Sequence, residues 1–390
     1  MTAFAPKSET DVVEAVRAAR TAKTPLRIVG GGTRQGLGQP ITPPQRLSLA
    51  GLTGITLYEP AEMVIGAWAG TPLAEVEATL AARGQMLPFE PVDHAALYGT
   101  AGAPSVGAVA ALNNSGARRI CAGAARDSLI GVRFVNGMGA LVKSGGRVMK
   151  NVTGLDLVKL QSGAHGTLGP LTEVIFKVLP RPETERTLEL SGLDDARAVA
   201  ALSAGLATPF EVSGAVHVPA APGRSARTLL RIEGFETSLR YRSGELARAL
   251  SGFGAAQTHE ASASAAIWSG LRRLEPVIAA KDAAVWRLSL KPSDGPKAVA
   301  AIGAAGRALF YDWGGGLVWL AAPADGDASA GVIRAVVARL GGHATLMRAP
   351  DRVRAEVPVF QPEPEAVARL SAGIRRSIDP DALFNPGLMG

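Results

Sequence analysis

Cysteine is nearly absent from this 390-residue sequence: Cys121 is the only one. An internal disulfide is therefore excluded, and so is a cysteine-ligated zinc or iron–sulfur centre held by this chain alone. Histidine is scarce as well. His94, His165, His217, His259 and His343 lie far apart, so no pair has the local spacing of a metal site. Aromatic residues make up only 5% of the chain, too few for a base-stacking platform. The basic doublets Arg118–Arg119, Arg272–Arg273 and Arg375–Arg376 never extend into a longer basic run. The net charge of +7 thus points away from nucleic acid and toward anionic small molecules or an acidic partner surface. No apolar run reaches the ~20 residues of a membrane span, and MTAFAPKSETDVVEAVRAAR lacks the apolar block of a signal peptide. The expectation is a cytoplasmic protein with no integral membrane segment, at most peripheral at the inner membrane through partners.

What the sequence does have is apolar bulk and glycine. Hydrophobic residues form 47% of the chain, enough for a sizeable core, and the length suits two domains. Val12, Val16 and Ala19 have helical spacing, with Ser8 and Asp11 placed to cap the start. Leu26–Val29 reads as a short strand. Met63–Trp68 reads as another, followed by a helix with Thr71 as N-cap, Pro72 in the first turn, an apolar face of Leu73, Val76 and Leu80, and Gly84 at its end. Leu171–Leu179 is a further strand. After Pro182 the composition shifts. Thr228–Ile232, Val285–Leu290 and Leu317–Ala321 alternate with Ala/Arg-rich segments, a pattern that predicts a smaller antiparallel sheet with helices on one side. Val367, Leu370 and Ile374 predict a last amphipathic helix, stopped at Asp379–Pro380. The predicted division is 1–182, 183–365 and 366–390.

The stretch PLRIVGGGTRQG ends a strand on three glycines, which bring no side chain to a sheet. A P-loop is excluded because no Gly-Lys follows. The dinucleotide fingerprint is excluded because Gly30, Gly32 and Gly36 are spaced one residue too far and open no helix. Two readings remain: a plain tight turn, or a nest of main-chain N–H groups converging on an anion. Two more bare-backbone loops follow. One offers Ser105, Gly107, Asn114, Ser115 and Gly116; the other offers Gly163, Gly166 and Gly169, ending in Thr172. Three such loops suit a long ligand approached by the main chain over much of its length.

The segments PLRIVGGGT, EPAEMVIGAWAGTPLAEVEATLAARGQMLPFEP, VGAVAALNNSGARR, AARDSLIGVRFVNGMG and VMKNVTGLDLVKLQSGAHGTLGPLTEV, with the closing DPDALFNPG, resemble the FAD-binding domain of the vanillyl-alcohol oxidase type. The resemblance is strongest to the family of FAD-binding E subunits of bacterial glycolate oxidase. It is strong over 1–182 and weak through the second region, where DWGGGLVWL resembles a strand of that family's cap domain. It implies an α+β fold, an FAD domain in two subdomains with a smaller α+β cap, and FAD as cofactor. It further implies that Gly30, Gly31, Gly32 and Thr33 hold the pyrophosphate. Ser105, Gly107, Asn114, Ser115 and Gly116 would line the isoalloxazine and ribityl side. Gly163, Gly166, Gly169 and Thr172 would lie along the rest of the cofactor, and Asn385 would return near the ring. Many relatives carry a histidine in the first loop for a covalent flavin link. Here Thr33, Arg34 and Gln35 stand there, so FAD is expected to be non-covalent.

The implied activity is oxidation of a short 2-hydroxy acid, glycolate to glyoxylate, by a complex. The implied partners are a homologous FAD-containing catalytic subunit and an iron–sulfur subunit that supplies the clusters one cysteine cannot hold. The sparse histidines suggest that this subunit is not the one that turns over substrate. A self-sufficient oxidase of a hydroxy acid, alcohol or sugar, and a non-catalytic assembly subunit, stay open beside it. Among individual residues, His165 reads as a flavin neighbour or a space-filler. Arg118, Arg119, Arg126 and Asp127 read as cofactor contacts or a loop tie, and Lys150–Asn151 as a strand end near the flavin or a solvated turn. Trp268, Trp286, Trp313 and Trp319 are expected in the core, Cys121 as a small apolar filler, and His94 and His343 on turns or surfaces.

Overall fold

The computed structural model describes residues 2–41, 45–146 and 154–389; Lys150–Asn151 lie outside them. The first helix, Glu9–Thr21, starts on the Ser8/Asp11 capping box and buries Val12, Ala15, Val16 and Ala19. It covers a parallel three-stranded sheet in the order Thr2–Phe4, Gln45–Ser48, Leu26–Val29. The chain's end returns to this sheet. Leu26 N–H donates to the Leu383 carbonyl at 2.7 Å, and Asn385 N–H to the Leu26 carbonyl at 3.0 Å.

A second subdomain is a five-stranded antiparallel sheet in the order Ile55–Glu59, Val64–Trp68, Leu171–Lys177, Leu129–Val135, Leu141–Gly145. Its helix begins at Leu73, one residue later than the sequence suggests, and Pro72 takes the cap position. Thr71 does not cap it because its hydroxyl is committed elsewhere, accepting from Gly54 N–H and donating to the Trp68 carbonyl at 2.6 Å. The helix ends at Ala81, three residues before Gly84.

The cap is an eight-stranded antiparallel sheet beginning at Thr184–Ser191 and ending at His343–Arg348. It has more strands than either sheet of the first domain, and both faces are covered. Along Leu317–Ala322, the residues Val318, Leu320 and Ala322 pack on the helices Gly295–Ile302 and Ala330–Arg339. The alternate residues Leu317, Trp319 and Ala321 pack with Trp268 and Val277, and with Leu37 and Leu97 of the first domain. The expectation of helices on one side fails because the first domain and two further helices seal the opposite face. That burial makes the central strands continuously apolar. The segment before residue 366 also touches the first domain: Arg354 donates to the Gly38 carbonyl, and Gln39 to the Arg354 carbonyl, each at 2.7 Å. The final helix, Glu365–Ile378, forms as its periodicity predicts, with Val367, Leu370 and Ile374 left exposed.

Candidate functional site

The strand Leu26–Val29 delivers Gly30, Gly31 and Gly32 against the segment 102–105. A Cβ on Gly31 would fall inside the Ala103 carbonyl, one on Gly102 inside the Gly31 carbonyl, and one on Gly30 inside the Ser105 hydroxyl. Gly32 has φ +77°, which disfavours any side chain. Two glycines are therefore bare so that two loops can interlock, and a third so that the chain can turn. The loop's donors are a separate matter. Among the described residues no main-chain hydrogen bond is donated by Gly30, Gly31, Gly32, Thr33 or Arg34. Such a run of N–H groups without main-chain partners is free to meet an anion, as a nest does.

The loop opens on a cleft of about 110 Å³, edged also by Ala108, Leu112, His165 and Asn385. Asn385, in a left-handed conformation, accepts from Ile28 N–H at 2.9 Å and donates to the His165 carbonyl at 3.0 Å. It thereby joins the tail, the first strand and the third glycine loop. Buried and partnerless polar atoms stand close by: the Ser105 hydroxyl, which abuts Gly30, and the Arg34 Nη1. Arg34 donates its Nε–H to His94 Nδ1 at 3.2 Å. Unsatisfied donors beside a cradle into which a Cβ cannot enter fit a phosphorylated dinucleotide.

Through Leu37, Leu112 and His165 this cleft meets a larger cavity of about 550 Å³ between the domains. Asn114, Ser115, Gly116 and Gly163 line it. Asn114 is fixed by the Val92 carbonyl (2.7 Å), and Ser115 accepts from Ala125 N–H (2.9 Å). Gly116 abuts the Glu90 carbonyl and receives the Trp313 indole N–H at 3.0 Å. Of the other predicted positions, Gly107 lies against Ala69 and Gly166 against Asn385 and Ile28. Gly169 and Thr172 lie outside both cavities. Gly169 lets the chain cross the Val135 carbonyl, and Thr172 donates to Glu9 at 2.6 Å.

The cap supplies what the sequence reading missed. Arg231, Arg287 and Asp312 reach the cavity from the sheet, and Glu90 faces them from the first domain. Arg231 grips Glu90 with two bonds of 3.0 and 2.8 Å and lies 4.5 Å over the Trp268 ring. Arg231 also faces Glu233 at 3.6 Å, and Glu233 pairs with Arg118, so two cations answer two anions. Burial would raise the Glu90 carboxyl, but Arg231 holds it below its usual range. Arg287 makes no ion pair among the described residues; burial and the neighbouring Arg119 bring it down to about 10 against the pull of Asp312. Asp312 is pushed up to about 7 by burial, with Glu90 adding to the rise. The signal was legible in principle: Arg231 between the apolar residues of RTLLRIEG, and Arg287 in AVWRLS, are out of place in a buried strand.

The imidazoles of His94 and His165 are neutral near pH 7. Burial, then Arg34 and Arg287, press His94 well below its ordinary range, and burial with Arg34 brings His165 to about 4. His94 is buried, contrary to expectation, because Arg34 and the cap enclose it; His343 edges the cavity from the start of its strand. His165 touches both cavities and sets its ring edge on Phe360 at 4.8 Å. Trp268, Trp286 and Trp319 are buried as expected. Cys121 is exposed rather than a filler, since its short helix, Arg119–Ala122, lies at the surface. Asp127 caps Ala124 N–H at 2.8 Å and makes no pair with Arg126.

Residues 2–145 match the family model of the FAD binding domain. The chain is 34% identical to glycolate oxidase subunit GlcE of Escherichia coli (strain K12) over 97% of its length and 96% of the relative's. It is 43% identical to glycolate oxidase subunit GlcD of Bacillus subtilis (strain 168), but over only 20% of this chain and 16% of that one. Among solved structures, an alkyldihydroxyacetonephosphate synthase superposes with a TM-score of 0.70 at 15% identity, covering 98% of this chain and 76% of the other, which establishes the shared fold. On the full-length likeness and the matched domain, the chain belongs to the family of glycolate oxidase E subunits and is an FAD-binding oxidoreductase.

Proposed function

We propose that this chain is the FAD-binding subunit of a complex that oxidises a short 2-hydroxy acid, glycolate foremost, and passes the electrons to an iron–sulfur partner. The observation that carries the reading is that the glycine-edged cleft and the charged cavity share Leu37, Leu112 and His165 in their walls. The cleft's free N–H groups at Gly30–Thr33 suit the pyrophosphate, and the Ser105 hydroxyl lies beside them. Asn114, Ser115, Gly116 and Gly163 would line the isoalloxazine side, with Gly107 and Gly166 letting their loops approach and Asn385 fixing the junction. Gly169 and Thr172 would support the loop from behind. When bound, FAD supplies the two-electron acceptor. The protein's own part is to hold it without reorganisation, to exclude water between the domains, and to present a positive, anion-seeking wall.

Non-covalent binding is supported by Thr33, Arg34 and Gln35, none of which offers a side chain for a flavin link. An iron–sulfur partner is supported by the single cysteine and by the full-length relative's being named a subunit. No group of histidine, cysteine or carboxylate side chains suited to a metal ion occurs among the described residues, and no helix there is long and apolar enough to cross a membrane. Acid precipitation of the yellow holoprotein tests the attachment: all colour should appear in the supernatant, and colour in the pellet contradicts it. Co-expression with a homologous flavin subunit and an iron–sulfur protein should yield a complex that turns over glycolate with an artificial acceptor. A complex that forms but stays inert with glycolate and D-lactate would remove the substrate assignment.

A further inference from the structure

We propose that Arg287 and Asp312 are the substrate-contacting pair of the larger cavity, Arg287 binding the carboxylate of a short 2-hydroxy acid and Asp312 accepting the proton of its hydroxyl group. The assignment rests on the reading of the chain as an FAD-dependent hydroxy-acid oxidoreductase, and it places a substrate site on this subunit itself.

The strands Ala284–Ser289 and Arg307–Asp312 flank Leu317–Ala322, with Arg287 opposite Trp319 and Asp312 opposite Leu317. Opposed residues share a sheet face, so Arg287 and Asp312 point to the same side, and both line the cavity. Two strand spacings and a two-residue offset set their Cα atoms about 12 Å apart. A long guanidinium arm and a short carboxyl leave a gap suited to a molecule of a few heavy atoms.

The charges point the same way. Arg231 and Arg118 are matched by Glu90 and Glu233. Arg287 makes no hydrogen bond or ion pair among the described residues. Its guanidinium lies 5.1 Å from the Trp313 ring, which Arg119 also covers at 4.5 Å. Two cations thus share one indole. Asp312, the carboxyl that acts on Arg287, forms no ion pair with it and is pushed toward neutrality by burial, which leaves a place for an anion. Asp312 accepts from Trp313 N–H through one oxygen, and its other oxygen has no hydrogen bond among the described residues. Around it stand Glu90 on the first domain, Arg231 and Arg287 each two strands away in the sheet, and the Trp313 N–H. Burial and Glu90 outweigh the two guanidiniums, so near neutrality this carboxyl exchanges a proton readily.

The step balances with the cofactor as oxidant. The hydroxyl O–H breaks and its proton goes to Asp312. FAD, when bound, would take the carbinol hydrogen as hydride, so that C–O becomes C=O, while Arg287 holds the 2-oxo acid until release. Asp312 then returns the proton to solvent.

Oxalate, a small dicarboxylate with no oxidisable C–H, is the probe. It is titrated calorimetrically into the FAD-loaded chain at about pH 6 and about pH 8, with flavin content read from absorbance on the same samples. Wild type should bind it, and Arg287→Gln should weaken binding at least ~30-fold with flavin content unchanged. Arg287→Lys should keep binding within about tenfold, which separates lost charge from lost fold. Raising the pH through Asp312's ionisation should weaken wild-type binding about tenfold, and Asp312→Asn should abolish that dependence. Flavin reduction by glycolate in a single anaerobic turnover should rise with pH in wild type, and should be at least ~100-fold slower and pH-independent in Asp312→Asn. Equal oxalate binding by Arg287→Gln, or an unchanged pH profile in Asp312→Asn, overturns the pair. A wild-type chain that carries FAD yet binds no oxalate overturns the pair alone, whereas one that carries no FAD overturns the reading beneath it.

Discussion

The two walls of the inter-domain chamber meet a ligand by opposite means. The first-domain wall is glycine, small polar side chains and main-chain N–H groups, and it is rigid because its loops interlock through contacts that admit no Cβ. The cap wall is a sheet face that carries arginine and carboxylate among apolar side chains. Backbone donors are fixed by the fold and are electrostatically mild, so they suit a permanent cofactor. Charged side chains can be exchanged without altering the sheet, so they suit the part of a family that varies its substrate.

The largest effect should come from breaking the interlocked wall. Gly31→Val drives a branched side chain into the Ala103 carbonyl, so the loop must withdraw from 102–105. Bound flavin should fall at least ~10-fold on purification, with a lowered Tm, because the clash lies on main chain rather than on a movable side chain. Normal flavin stoichiometry in that variant would detach the loop from cofactor binding. On the cap wall, Arg231→Leu leaves the half-buried Glu90 without its bidentate partner. Denaturant unfolding should show a loss of about 3–5 kcal/mol, and a loss below about 1 kcal/mol would mean that Glu90 finds another partner.

Asp312 makes a smaller, pH-dependent difference. Its folded pKa of about 7 lies above the unfolded carboxyl value, so between these the native state binds the extra proton. Stability falls as pH rises through that window and levels off above it. Asp312→Asn should match wild type near the lower end of the window and exceed it near pH 8 by up to about 4 kcal/mol. Equal stability at both ends would show that the carboxyl is not raised. The smallest effect belongs to the junction. Asn385→Ala removes bonds to Ile28 and His165 and should cost about 1–2 kcal/mol, with modestly weaker FAD retention. An unchanged Tm would show that the tail docks through Leu383 and Phe384 alone.

The first wall was readable in the sequence because local chemistry dictates it. The capping box at Ser8 and Asp11, the strand ending on Gly30, and the glycines at positive φ each depend on a few neighbouring residues. Even there Gly30 and Gly31 read as room for a phosphate, whereas the structure packs another loop against them. Thr71 misled because its hydroxyl is taken by Gly54 and Trp68, a tertiary matter. The cap wall was not readable in the same way. Arg231 and Glu90 are 141 positions apart and meet only when two domains close, and Arg287 and Asp312 share a face through a strand that comes later in the chain. Histidine was weighed as the chemistry-bearing residue, yet burial, with Arg34 adding to it, leaves His94 and His165 uncharged.

The most direct test of the chamber as one cofactor-and-substrate site is the flavin absorbance of the purified chain, recorded anaerobically before and after addition of glycolate. The account predicts bound, acid-releasable FAD that glycolate bleaches once in wild type, and the same FAD left unbleached in Arg287→Gln. A colourless wild-type chain, or bleaching that is indifferent to Arg287, would contradict it.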